Sequence, residues 1–176
     1  MEENKPSNVK VAINHGLLLG VALILFSLLL YVIGIPMDSK FQWLGYLVMV
    51  VGVVLGIKQW RDKYNDGFLT YGQAFSNGFL TILFAGILTS IWSLLFFSVI
   101  APGEIDKMIE IAEEKMYESQ PNLTDEQIEM ALSYSKMFMS PVWLAVWGFI
   151  GNLVGGAIIS AVVAIFMKKE KPIFEE

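Results

Sequence analysis

The sequence predicts an all-α integral membrane protein, a four-helix bundle with an extracytoplasmic amphipathic helical hairpin between the third and fourth spans. Of its 176 residues, 55% are hydrophobic and only 16% are charged, whereas an average soluble domain has roughly 25% charged residues. The charges are also segregated and leave four long apolar runs, each close to the length of about 20 residues that a membrane span needs. We therefore expect one membrane domain, residues 1–176. Its spans lie at about 12–34, 41–58, 71–101 and 141–167, and its hairpin at about 102–140.

The first span, at about residues 12–34, resembles a secretory signal only superficially. Its apolar run exceeds the roughly 7–15 residues of a signal core, and no clear cleavage site of small residues follows it. We therefore interpret this segment as a membrane span.

Basic residues near the ends of the spans indicate the orientation, because Lys and Arg are favoured on the cytoplasmic side. The N-terminal tail, the connection after the second span and the C-terminal tail together hold eight Lys and Arg, whereas the other two connections hold four. The third connection also holds nine acidic residues. We therefore expect both termini in the cytoplasm and the acidic segment outside.

The connection after the second span, KYNDGFLTYGQAFSNGF (63–79), places five aromatic residues at near-helical spacing. Asp66-Gly67 predicts a turn, and Thr70-x-x-Gln73 predicts a capping box that starts the third helix near Tyr71. We expect the rings to share one face at the membrane–water boundary, where Tyr and Trp are enriched. A ligand-binding aromatic patch is the alternative. The candidate interfacial anchors are Trp60, Tyr64, Tyr71 and Phe75.

Small residues recur along one face of each span and predict how the helices pack. Lipid provides little hydrophobic drive for helix association, so residues that permit close backbone approach are enriched at helix contacts. We interpret them as packing one bundle, and homodimerisation through the fourth span is the alternative. The candidate packing residues are Gly16, Gly20, Gly52, Gly56, Gly148, Gly151, Gly155 and Gly156.

Asn152 places a side-chain amide near the middle of the fourth span. An amide at that depth is stabilised by a hydrogen-bond partner on a neighbouring helix. We expect it to face the bundle and to bond one of three hydroxyl groups at comparable depth, those of Thr89, Ser90 and Ser27. A ligand or ion site at Asn152 is the alternative.

The composition also disfavours several kinds of chemistry. The chain has no cysteine and one histidine, His15, at the start of the first span, so thiol catalysis and cysteine metal sites are excluded. The charge-free runs are residues 12–33, 41–57, 76–101 and 142–167. They contain no Asp, Glu, Lys or Arg, the residues that mark ion and proton pathways in membranes. We expect no catalytic, cofactor-binding or metal-binding residue, and we expect that the protein is not an enzyme.

Residues 102–140 predict two amphipathic helices joined by a turn at Gln120-Pro121-Asn122. Thr124-x-x-Gln127 predicts a second capping box at the start of the second arm. Ser140-Pro141 then predicts the start of the fourth span, since Pro is favoured at the first helical position. The expected apolar face of the second arm is Ile128, Ala131, Leu132 and Phe138.

Three segments resemble a known family: NDGFLTYGQAFSNG (65–78), IAPGEIDKMIE (100–110) and LTDEQIEMAL (123–132). Over about residues 9–168 the chain resembles the bacterial integral-membrane family called domain of unknown function 4199, which is found mainly in Bacteroidetes-type bacteria. The resemblance implies a protein of the bacterial inner membrane with four spans. It carries over no catalytic residue.

The function that we expect from these features is that of a small, non-enzymatic accessory or assembly subunit that contacts other envelope components. The lipid bilayer is one expected partner, a homo-oligomer and a membrane-protein partner are both left open, and no nucleic acid is expected. The alternative is a small transporter or channel-like protein with a pore between the two helical pairs. The residues expected to line such a pore are Thr81, Thr89, Ser93 and Asn152.

Overall fold

A computed structural model describes residues 6–36, 39–119 and 124–171. Within these ranges the chain forms six α-helices, together with short 3-10 and π-helical turns at helix ends. The predicted hairpin turn at residues 120–122 lies outside the described residues. The helices are α1 (Asn8–Val32), α2 (Leu44–Gln59), α3 (Tyr71–Leu95), α4 (Gly103–Ser119), α5 (Asp125–Phe138) and α6 (Pro141–Met167).

Four helical segments in the described residues are long and apolar enough to cross a bilayer, and the shorter pair α4 and α5 lies between the third and fourth in sequence. This arrangement confirms the predicted all-helical fold class. The four segments are Asn8–Val32, Lys40–Tyr64, Tyr71–Ile100 and Pro141–Met167.

Three helix starts, those of α1, α3 and α5, are fixed by side-chain caps. Ser7 accepts from the Lys10 backbone N–H, which begins α1 at Asn8, before the apolar run itself. Thr70 and Gln73 form the predicted reciprocal box at the start of α3, with bonds of 3.0 and 3.3 Å between each backbone N–H and the other side chain. Thr124 and Gln127 form the same box at α5. Each box satisfies N–H groups that a helix start otherwise leaves without partners, and both capping predictions are confirmed.

The helix ends are less regular than the apolar runs suggest. A 3-10 turn (Lys40–Trp43) leads into α2, and a π-helical turn (Trp60–Tyr64) continues it into the polar connection. A second π-helical turn (Phe96–Ile100) extends α3. The predicted turn after α2 is confirmed, because Asp66 and Gly67 both have positive φ, of 53° and 79°.

The chain divides into two compact units, each with its own packing. The first, which we call the packed unit, comprises residues 1–89 and 149–176. The second, which we call the hairpin unit, comprises residues 90–148. In the packed unit the apolar core is formed by buried residues of α1, α2, α3 and α6, among them Leu19, Val53, Ile57, Ile82 and Ala164.

In the hairpin unit, α4 packs against α5. Ile128 and Leu132 of α5 are 1% and 7% exposed. Phe138 differs from the expectation: it is 43% exposed, and its ring lies 5.9 Å from that of Trp143. At 100° per residue, Phe138 falls about 80° away from Ile128 around the helix, so it lies at the edge of the buried face.

Candidate functional site

One close helix approach in the packed unit lies between α1 and α3. A Cβ built on Gly16 would lie 2.6 Å from Phe84 Cβ and 2.7 Å from the Thr81 carbonyl oxygen. One turn later, a Cβ on Gly20 would lie 2.9 Å from a methyl group of Leu88. Because Gly16 and Gly20 form a G-x-x-x-G pair, their hydrogens permit the backbone contact on which such helix pairs depend.

Three other predicted packing glycines also face neighbouring helices. A Cβ on Gly52 would lie 2.6 Å from Leu19 Cδ1, and one on Gly156 would lie 2.4 Å from Ile82 Cγ2. Gly56 faces α3, with its Cβ position 3.3 Å from Thr81 Oγ1. These contacts join α1 to α2, α6 to α3 and α2 to α3.

The remaining predicted glycines of α6 make no such close helix contact among the described residues. Gly148 and Gly151 have no described heavy atom within 4 Å of a built Cβ, and Gly155 meets only Tyr46, at 3.7 Å. The face of α6 that contacts α3 includes Asn152, Gly156 and Ser160, four residues apart, and Gly151 and Gly155 lie off that line. Gly148 lies on the line, eight residues before Gly156, but belongs to the hairpin unit.

The mid-span amide makes a contact within the packed unit. Asn152 Nδ2 donates to Thr89 Oγ1 over 3.4 Å, and Thr89 Oγ1 donates to the Gly86 carbonyl over 3.2 Å. Of the other hydroxyls considered, Ser27 Oγ donates to the Ile24 carbonyl of its own helix. Ser90 Oγ is buried and has no hydrogen-bond partner among the described residues.

A second and larger polar group lies where α1 and α3 begin and α2 ends; we call it the polar cluster. Asn77 Nδ2 donates to Asn8 Oδ1 over 2.6 Å, and Asn8 Nδ2 donates to Ser76 Oγ over 3.3 Å. In the same unit, His15 Nε2 is hydrogen-bonded to Gln59 Oε1. These bonds link α1 to α3 and α1 to α2.

Two buried oxygen atoms of this region face glycines. Asn77 Oδ1 and Ser160 Oγ have no conventional hydrogen-bond partner among the described residues, and both residues are fully buried. The Cβ position of Gly56 lies 3.4 Å from Asn77 Oδ1, and that of Gly78 lies 3.0 Å from Ser160 Oγ. Each of these oxygens therefore lies against the open side of a glycine on a neighbouring helix.

Sequence reasoning did not identify the polar cluster, although a signal was present. Asn77 and Thr81 lie four residues apart on a helix that is otherwise apolar, and Thr81 Oγ1 donates to the Asn77 carbonyl over 2.8 Å. An amide one turn before a threonine, beside Gly78, is the pattern that marks a polar helix contact in membranes. Gly86 was likewise absent from the predicted packing residues, although its Cβ position lies 3.3 Å from the Phe149 ring of α6.

The five aromatic residues of 63–79 do not form one continuous row of rings. Tyr71, Phe75 and Phe79 stack along α3, with ring centroids 6.5 and 5.9 Å apart. Tyr64 instead packs on Trp60, at 6.2 Å. The single face expected for all five rings is wrong, because α3 begins at Tyr71 and a turn separates it from the residues before.

The arrangement provides hydrogen bonds and close helix packing. Among the described residues, no group of three or more His, Asp and Glu is placed to hold a metal ion.

A chain with four apolar helices of spanning length is a multi-pass helical membrane protein. Residues 14–169 match the family model described as "Protein of unknown function (DUF4199)", and the chain belongs to that family. This match confirms the resemblance found in the sequence. Among curated proteins and solved structures the chain has no significant match.

Proposed function

We propose that this protein is a non-enzymatic accessory or assembly subunit of the bacterial inner membrane, and that it contacts an envelope partner through α5. Both termini are in the cytoplasm and the α4–α5 pair is outside. The orientation is supported by the excess of Lys and Arg in the tails and in the connection between α2 and α3.

The observation that carries the proposal is an exposed apolar stripe on α5, formed by Met130, Tyr134 and Met137. These side chains are 59%, 64% and 58% exposed. They lie one turn apart along the helix, on the face opposite Ile128 and Leu132. Large apolar side chains grouped on a helix outside the spans are typical of interaction surfaces, and methionine adapts its shape to a partner.

Charge indicates what kind of partner fits this stripe. Glu126 and Glu129 are exposed beside it, and the segment between the third and fourth spans carries nine carboxylates in all. The complementary surface is therefore an apolar groove with a basic rim on another envelope protein. An anionic lipid surface is disfavoured, because its headgroups would repel these carboxylates.

The close contacts of the packed unit support this role over that of a transporter. Of the residues expected to line a pore, Thr81 donates to a backbone carbonyl of its own helix. Asn152 and Thr89 are joined to each other. These groups take part in packing the helices together.

Photo-crosslinking in native membranes tests the proposal. A photoreactive residue at Tyr134 is expected to capture one membrane or periplasmic protein reproducibly, and the same residue at exposed Glu114 of α4 serves as the matched control. Equal capture at the two positions would contradict the proposed surface. Because the chain has no cysteine, a single cysteine at Lys115 or Lys63 tests the orientation: only the first should react with a membrane-impermeant maleimide in spheroplasts.

A further inference from the structure

The C-terminal segment is held against the connection between α2 and α3. Leu69 and Lys169 exchange two backbone hydrogen bonds, of 2.7 and 2.8 Å, and Leu69 is buried. Arg61 Nη1 donates to the Met167 carbonyl over 3.3 Å, which satisfies one of the carbonyl groups that a helix end leaves without a partner. These contacts fix the backbone of residues 167–169.

The fixed segment presents two lysines to one aromatic ring. Lys169 Nζ and Lys171 Nζ lie 5.5 and 5.8 Å from the centroid of the Phe68 ring. Residues two apart in an extended segment point to the same side, so both ammonium groups reach the same ring. A cation–π contact orients an ammonium group without neutralising its charge, and both side chains remain available to an anion.

Positive charge is in excess around this ring. Residues 58–71 and 167–171 hold six cations and three carboxylates. One carboxylate, that of Asp62, is paired with Arg61 over 2.7 Å and also lies within the electrostatic range of Lys58 and Lys169. Five exposed lysines form no ion pair with a carboxylate in the described part of the chain, and we call them the basic cluster. Its members are Lys58, Lys63, Lys168, Lys169 and Lys171.

The basic cluster lies at the ends of two spans, directly beyond an exposed apolar surface of α6. Val162, Ile165 and Phe166 are 49%, 56% and 80% exposed, and Lys168 follows Phe166 by two residues. The paired rings of Trp60 and Tyr64 lie at the same end of the helices, and such aromatic residues mark the level of the lipid headgroups. The anion present at this level in every bilayer is the phosphate of a lipid headgroup.

We propose that Lys58, Lys169 and Lys171 bind the phosphate of an anionic phospholipid headgroup, whose acyl chains lie along Val162, Ile165 and Phe166. Basic residues next to a span attract anionic lipids, and here the strand pairing at Leu69 and the Phe68 ring hold two of them in place. The site does not depend on which partner α5 contacts. It also does not depend on the orientation of the chain, because it is formed entirely at one end of the packed unit.

Native mass spectrometry of the full chain tests the site. Protein released from nanodiscs containing equal parts of phosphatidylglycerol and phosphatidylcholine is expected to retain phosphatidylglycerol preferentially. In the variant K58Q/K169Q/K171Q this preference is expected to fall by about 10²-fold. The control variant K107Q/K115Q/K136Q, which removes three cations of the α4–α5 pair, is expected to keep it. Equal retention of the two lipids by the native chain would overturn the proposal, and so would an undiminished preference in K58Q/K169Q/K171Q.

Two further experiments distinguish a loss of folding from a loss of binding, and a lipid ligand from a soluble phosphate. K58R/K169R/K171R keeps the charges and is expected to retain the preference; its loss, with helical content unchanged by circular dichroism, would contradict a charge-based site. Glycerol 3-phosphate supplies the headgroup chemistry without acyl chains and is expected not to displace phosphatidylglycerol at equal concentration. Displacement would show that a soluble phosphate, and not a lipid, is the ligand.

Discussion

The packed unit and the hairpin unit join their helices by different means. In the packed unit, glycines allow backbones to touch, as at Gly16 and Gly156, and polar side chains such as Asn77 are buried between helices. In the hairpin unit, α5 buries Ile128 and Leu132 and exposes Glu126, Glu129 and Lys136. This difference is the one expected between a water-exposed helix pair, α4 and α5, and helices packed in lipid. In water, burying apolar side chains drives association, whereas in lipid that drive is missing and close contact and hydrogen bonds must replace it.

The largest expected loss of stability is in the hairpin unit. Ile128→Ala removes a side chain that is 1% exposed, and such truncations cost about 3 kcal/mol. Hydrogen exchange of the α4 and α5 amides should therefore accelerate by about 10²-fold, while exchange in α1 remains unchanged. Met130→Ala, on the exposed side of the same helix, should leave all rates unchanged. Equal acceleration in α1 would contradict the separate packing of the two units.

The second effect lies in the packed unit. Gly16→Ala puts a methyl group 2.7 Å from the Thr81 carbonyl oxygen, and backbone cannot move aside as a flexible side chain can. Overpacking of this kind costs about 2 kcal/mol, which unfolding in detergent by increasing denaturant should detect. Gly151→Ala, with open space around it, is the matched control and should change stability by less than about 0.5 kcal/mol. Equal losses of stability in the two variants would contradict the claim that close backbone contact at Gly16 stabilises the packed unit.

Much of the fold could be predicted from the sequence because its signals are local. Charge-free runs of spanning length gave the four spans, and the boxes Thr70-x-x-Gln73 and Thr124-x-x-Gln127 gave two helix starts. The rotation of each helix about its axis is not a local property. The sequence shows that α6 is rich in glycine, but which of Gly151, Gly155 and Gly156 contacts α3 depends on how the neighbouring helix crosses it.

The polar contacts, too, could be predicted only where the signal is local. Asn152 was identified because a single amide in an apolar run is conspicuous, and it contacts Thr89. Asn77 lies near the end of its span, among other polar residues. An amide exposed there costs little free energy, so the sequence does not predict that it is buried. Its burial is decided by Asn8 of α1, which is distant in sequence.

A third, smaller effect concerns this polar cluster. Asn77→Ala removes the 2.6 Å bond to Asn8 and should destabilise the packed unit by about 1 kcal/mol. Asn8→Ala removes the same bond from a more accessible position. A double-mutant cycle of the two changes should therefore show coupling of about 0.5 kcal/mol or more. Strict additivity would show that the bond does not contribute.

The smallest effect is expected at the middle of the spans. Asn152→Ala removes a 3.4 Å bond to Thr89, and hydrogen bonds between membrane helices contribute about 0.6 kcal/mol on average. The stability loss in detergent should therefore be smaller than that of Gly16→Ala. A loss larger than that of Gly16→Ala would reverse the proposed ranking, in which close backbone contact outweighs the amide bond.

The solvent around each unit can be measured directly with spin labels on single cysteines, because the chain has none of its own. Labels at Leu25 and Ile158, which are 61% and 62% exposed, should be more accessible to oxygen than to a water-soluble nickel complex in nanodiscs. A label at Tyr134, 64% exposed, should show the reverse. Preferential accessibility of Leu25 and Ile158 to the nickel complex would contradict the account, because the packed unit would then be surrounded by water.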